Sequence, residues 1–218
     1  MPSRDDKPFV FDTEHRLVVL TGAKARSLPE LRRMLEHAPK SSIFFHTHQE
    51  YLVRDFRKRV YYNDFALWVS EALREEALAE KLAAIDLLAF TTIRELQLAI
   101  LESIDGYTRT TVTQRCRPED AFHFCRSRSF VLPTGLVAHD VPEFFAKLPQ
   151  ISHASLYFHF FEARLRLGRR TSDFSRWLRG RERTDLADAI DALNPYVRTL
   201  GDLKRDIILI GQGAGNQS

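Results

Sequence analysis

Apolar and polar positions follow one scheme twice along this chain. Phe9-Val10-Phe11 opens an alternating aromatic stretch, and Leu17-Val18-Val19-Leu20 is a second short apolar run that closes on Thr21-Gly22. Phe122-His123-Phe124, Phe130-Val131-Leu132 and Thr134-Gly135 have the same form. Alternation, aromatic residues and a closing glycine predict two short strands and a turn, a hairpin-like start to each half. Helical spacing then takes over. Ser27-Leu28-Pro29-Glu30 and Asp140-Val141-Pro142-Glu143 each join a capping side chain, a first-turn proline and a glutamate that can reach back to the amide of the capping residue, which predicts a helix start at both places. Buried helices follow from Ser42 and Ser155, with Tyr157, Phe161 and Leu165 on one stripe of the second. Asn63 and Ser172 read as N-caps that put Asp64 and Asp173 in first turns, where negative charge suits the helix dipole. Ala/Leu-rich helices are expected over 78–85 and 186–193, and a last helix in each half begins at Thr92 and Thr199.

The correspondence is gapless: residues 9–48 align with 122–161 at a constant offset of 113. Phe9, Phe11, Thr21, Gly22, Pro29, Glu30, Ser42 and His46 recur as Phe122, Phe124, Thr134, Gly135, Pro142, Glu143, Ser155 and His159. Self-similarity predicts copies of one folding unit. The expected fold is α+β and predominantly α-helical: two tandem homologous units, each a hairpin-like start plus about five helices, packed with pseudo-two-fold symmetry. The first unit is expected over 9–104 and the second over 122–210. The polar, threonine-rich 105–121 segment reads as a linker, and the glycine-rich 211–218 segment as a flexible tail.

Composition narrows this little. A formal charge of +3 on 218 residues is too mild to call for a nucleic-acid partner. No apolar run approaches the roughly 20 residues of a membrane helix, and the opening residues lack the apolar core of an export signal, so a cytoplasmic location without membrane contact is expected. Two cysteines, Cys116 and Cys125, are too few for a disulfide framework and wrongly spaced for a zinc clip, and read as ordinary thiols.

The frames Thr-Gly-x-x-Ala…Pro-Glu, Ser-Ile-Phe-Phe-His-Thr-His (42–48), Asn-Asp-Phe-Ala-x-Trp (63–68) and Ser-Leu-Tyr-Phe-His-Phe-Phe-Glu-Ala-Arg-Leu-Arg-Leu-Gly-Arg (155–169) resemble a prokaryotic family catalogued only as a domain of unknown function. The resemblance spans about residues 9–210 and implies no reaction, cofactor or site residue.

The chemistry must come from the side chains. His46 and His159 occupy corresponding positions; Asp64 and Asp173 do so too, and Glu162 lies one turn beyond His159. Together they could hold a ligand or a divalent metal, or supply a general base. The plainer reading is a pair of core histidines with both ring nitrogens bonded to protein, and two first-turn aspartates. His48 would join His46 as a metal pair only on a strand, and a helix is expected there. Arg164, Arg166, Arg169 and Arg170 begin an arginine run that continues through Arg176, Arg179, Arg181 and Arg183, a candidate anion or RNA surface. The alternative is a solvated face paired with Asp185, Asp188 and Asp191. Trp68 and Trp177 are expected as core anchors. No nucleophile motif is present, no catalytic residue is assigned, and no cofactor is implied. The favoured reading is a non-catalytic binding or regulatory protein for an anionic small molecule or a protein partner. The alternatives are an acid–base or metal-assisted enzyme using the paired histidines, and nucleic-acid binding through the arginines.

Overall fold

The computed structural model describes residues 7–48, 61, 63–111, 114–163, 171–195 and 198–215. Among these, the chain forms two strands, β1 (Phe9–Ala25) and β2 (Phe122–Ala138), and ten α-helices. The strands pair with each other in a two-stranded antiparallel sheet. This corrects the hairpin-like start: each half contributes one 17-residue strand, not two short ones. The reason lies in Gly22 and Gly135. Both have positive φ, 83° and 80°, as the Thr-Gly signal requires, but the bend is a kink within a strand that continues beyond it.

The chain divides into two compact units, Arg16–Arg128 and Met1–His15 with Ser129–Ser218. Both boundaries fall inside a strand. The units therefore differ from the expected 9–104 and 122–210 by an exchange of strand halves and by the inclusion of 105–121 in the Arg16–Arg128 unit.

In the Arg16–Arg128 unit, five helices follow β1: α1 (Leu28–His37), α2 (Lys40–His48), α3 (Asp64–Leu73), α4 (Glu76–Ala83) and α5 (Ile93–Thr108). Leu31, Leu35, Phe65, Ile100 and Ile104 are fully buried around Phe122 and Phe124, the opening residues of β2. Each buried Phe or Leu contributes about 1.5–3 kcal/mol relative to exposure. The Gln97 amide closes the end of α1 by donating to the Leu35 and Ala38 carbonyls, at 2.6 and 3.2 Å. The expected linker belongs to this packing: α5 runs to Thr108, and the buried Cys116 exchanges backbone and guanidinium hydrogen bonds with Arg26.

The other unit holds α6 (Val141–Lys147), α7 (His153–Tyr157), α8 (Asp173–Gly180), α9 (Thr184–Asp191) and α10 (Leu200–Gly215). A π-helical turn, Phe158–Glu162, extends α7. Phe9 and Phe11 pack on Phe144 with ring centroids 5.2 and 5.4 Å away. The Lys204 ammonium takes the place of Gln97, donating to the Pro149 and Ile151 carbonyls at 2.7 Å each. The expected tail begins inside α10, which is helical to Gly215; residues 216–218 lie outside the described set.

Candidate functional site

Ser and His four residues apart lie on one helix face, and the two such pairs of this chain use that face alike. In the Arg16–Arg128 unit, Ser42 Oγ donates to the Cys125 carbonyl at 2.6 Å, and His46 Nε2 accepts the Cys125 amide at 2.9 Å. In the other unit, Ser155 Oγ donates to the Asp12 carbonyl at 2.6 Å, and His159 Nε2 accepts the Asp12 amide at 2.9 Å. One serine and one histidine thus satisfy both main-chain groups of a single strand residue, as a neighbouring strand would. The first-turn aspartates orient the rings: His46 Nδ1 meets Asp64 Oδ2 at 2.8 Å, and His159 Nδ1 meets Asp173 Oδ2 at 3.0 Å. Trp68 Nε1 donates to the Asp120 carbonyl at 2.7 Å, and Trp177 Nε1 to the Lys7 carbonyl at 3.0 Å.

This pattern fixes the chemistry of the imidazoles. Nε2 accepts an amide hydrogen and carries none, so Nδ1 bears the ring hydrogen and donates it to the carboxylate. Both nitrogens are spent on the fold, and each histidine is only 4 % exposed. The serine hydroxyls point at carbonyls and not at Nε2, so the Ser-His-Asp trio is not wired as a nucleophile and its base.

The remaining candidates divide by place. Glu162 is buried in the π-helical turn and accepts from Ser129 Oγ at 3.2 Å. His48 stacks on Phe44 and bonds Thr47 Oγ1 through Nδ1, 2.7 Å away, not on the Asp64 side with His46. Arg164, Arg166, Arg169 and Arg170 lie outside the described residues. Further along, Arg179 bridges Asp188 and Asp191, and the Arg183 guanidinium holds the Asp185 carboxyl down at about 2. Burial pushes the Cys116 thiol up; burial and the Asp64 charge do the same to Cys125, so neither is poised as a thiolate. Among the described residues no three His, Cys, Asp or Glu side chains converge to hold a metal ion.

Sequence reasoning missed a cleft of about 570 Å³ in the Met1–His15/Ser129–Ser218 unit. Its polar lining is Lys7, Asp12, His159, Asp173 and Arg176, with Trp177 and Phe158 among its apolar walls. A signal was available: Lys7, Asp12 and Arg176 differ from their counterparts Asp120, Cys125 and Leu67, whereas His159, Asp173 and Trp177 match theirs.

The described helices include none long and apolar enough to cross a membrane. No curated protein matches the chain. The solved structure of OrfY from Thermoproteus tenax is similar over 97 % of both chains, with a TM-score of 0.85 and 28 % sequence identity. A family of unknown function, DUF5752, matches residues 6–211, and so, by a match across nearly its whole length, the chain belongs to that family.

Proposed function

We propose that the chain is a non-catalytic binding or regulatory protein of the cytoplasm that recognises an anionic ligand. The observation that carries the anionic reading is the pair of cations, Lys7 and Arg176, on the cleft beside His159; the commitment of both nitrogens of His46 and of His159 to main-chain amides and first-turn carboxylates speaks against the acid–base alternative. An acid–base enzyme built on these rings needs a nitrogen that can trade a proton with substrate. The Ser–His–Asp set recurs at corresponding positions, which also supports descent from one duplicated unit. A nucleic-acid role draws less support, because Arg179 and Arg183 are paired with aspartates. Thermal melting of the full chain against a panel of phosphates, carboxylates, nucleotides and phospho-sugars tests the proposal. Binding raises the melting temperature; a flat response across the panel removes the anionic-ligand reading.

A further inference from the structure

We infer that the cleft of the Met1–His15/Ser129–Ser218 unit binds a small molecule that pairs an anionic group, phosphate or carboxylate, with a hydrogen-bond donor, ammonium or hydroxyl. The inference rests on the binding-protein reading and adds the place and the ligand chemistry.

Residues shared by the two units have fold roles in both. His159 and His46 hold strands, Asp173 and Asp64 orient them, and Trp177 and Trp68 close on corresponding carbonyls. The side chains of the cleft residues that differ make no hydrogen bond among the described residues, although the main chains of Lys7 and Asp12 do. Asp120, the counterpart of Lys7, accepts from Arg117 at 2.9 Å. The Lys7 ammonium, by contrast, has no carboxylate within 4.0 Å among the described residues. Arg176, where the other unit has Leu67, forms only a long ion pair with Asp173, 3.9 Å apart and beyond hydrogen-bond distance, and its side chain is 64 % exposed. Two cations on one cleft, one with a forked guanidinium, suit a phosphate or carboxylate.

Asp12 adds the second half of the chemistry. Its amide and carbonyl are held by His159 and Ser155, so its main chain is fixed. Its side chain lies on the strand face opposite Phe11, with Val10, and both residues line the cleft. A carboxylate there repels a simple anion and accepts from an ammonium or hydroxyl. Stacking is excluded as the main recognition mode at Trp177. Phe144 stacks on its ring at 5.2 Å and the Arg181 guanidinium sits over it at 5.0 Å. The cleft volume is in the range of small-molecule sites.

The experiment uses the full chain and four probes: O-phosphoethanolamine, glycerol 3-phosphate, inorganic phosphate and ethanolamine. Melting and calorimetric titration are expected to rank the first two above phosphate and to show nothing with ethanolamine alone. Arg176→Leu and Lys7→Asp install residues that the other unit carries, so both variants should melt like the parent without ligand. Each should weaken the phosphate-bearing probes roughly ten-fold or more. Asp12→Asn should bring O-phosphoethanolamine down to the level of inorganic phosphate. Anion binding that ignores all three substitutions overturns the cleft assignment while leaving the binding reading intact. Phosphate binding as tightly as the two-group probes overturns the donor half. Silence from these probes, together with a flat broader panel, ends both.

Discussion

At the residue scale, the unusual group is a buried imidazole used as a strand partner. Replacing His46 or His159 by Phe keeps bulk but leaves a strand amide without an acceptor and an aspartate without its donor. The amide alone is expected to cost about 1–3 kcal/mol, read as a lower urea midpoint at unchanged slope. Ser42→Ala removes the matching carbonyl bond and should cost about 1 kcal/mol. Because Ser42 and His46 grip the same residue, their double mutant should depart from additivity by roughly 0.5 kcal/mol or more. Gly135→Ala tests a different device. A Cβ there meets nothing within 4 Å, so only the φ of 80° opposes it, and a loss of roughly 1–2 kcal/mol in thermal unfolding is expected. The serine, histidine and aspartate of each clip were visible in the sequence as corresponding residues. Their use was not, because the strand atom that His46 holds lies 79 residues away and the one that His159 holds lies 147 away.

At the scale of elements, local signals succeeded where the interactions are local. Ser27, Asn63, Thr92, Asp140 and Ser172 all cap as their positions predict. Thr92 and Glu95 form the full reciprocal box, with amide bonds of 3.2 and 2.9 Å. Glu30 and Glu143 reach one residue further back than expected, to the amides of Arg26 and His139, at 2.8 and 3.0 Å. Thr92→Ala should cost about 1 kcal/mol of stability. The Thr91 hydroxyl and the Thr91 and Thr92 amides hold the Glu95 carboxyl below its ordinary 4.5, and the His139 amide does the same for Glu143. A carboxyl depressed in the folded state stabilises above its unfolded value and loses that contribution as pH falls through the folded one. The melting temperature should therefore decline as pH drops below 4.5, and less steeply in Glu95→Gln. The helix contact that no cap foretells is α6 on α10, where a Cβ on Gly211 would overlap the Phe145 ring. Gly211→Ala should destabilise by about 1–3 kcal/mol, with partial recovery when Phe145 is shortened to Leu. The strands were misread because Thr-Gly marks a turn and a mid-strand kink alike. Leu17 and Val18, which point to opposite faces, are both exposed at 55 % and 50 %, so alternation carries no burial signal there.

For the whole molecule, the division of the chain matters more than its helix count. About five helices per unit were expected from periodicity and caps, and five per unit stand among the described residues, but the membership of the strands depends on pairing between residues far apart in sequence. Each unit's aromatic core needs residues from the other half of the chain: Phe122 and Phe124 for one, Phe9 and Phe11 for the other. A fragment of residues 16–128 should fold cooperatively on its own, as circular dichroism melting would show. A fragment of residues 1–111, longer at the start but lacking Phe122 and Phe124, should not. Losing two such rings, each worth about 3–5 kcal/mol, rivals the entire stability of a small domain. The same arrangement orders events on the ribosome. The Arg16–Arg128 unit becomes complete once its final strand segment has emerged, whereas Phe9 and Phe11, translated ahead of it, stay without their partner rings until Phe144, Phe174 and Trp177 have been made. The unit in the middle of this sequence can thus close first, and in the interval Phe9 and Phe11 are a sticky segment that a chaperone would have to shield.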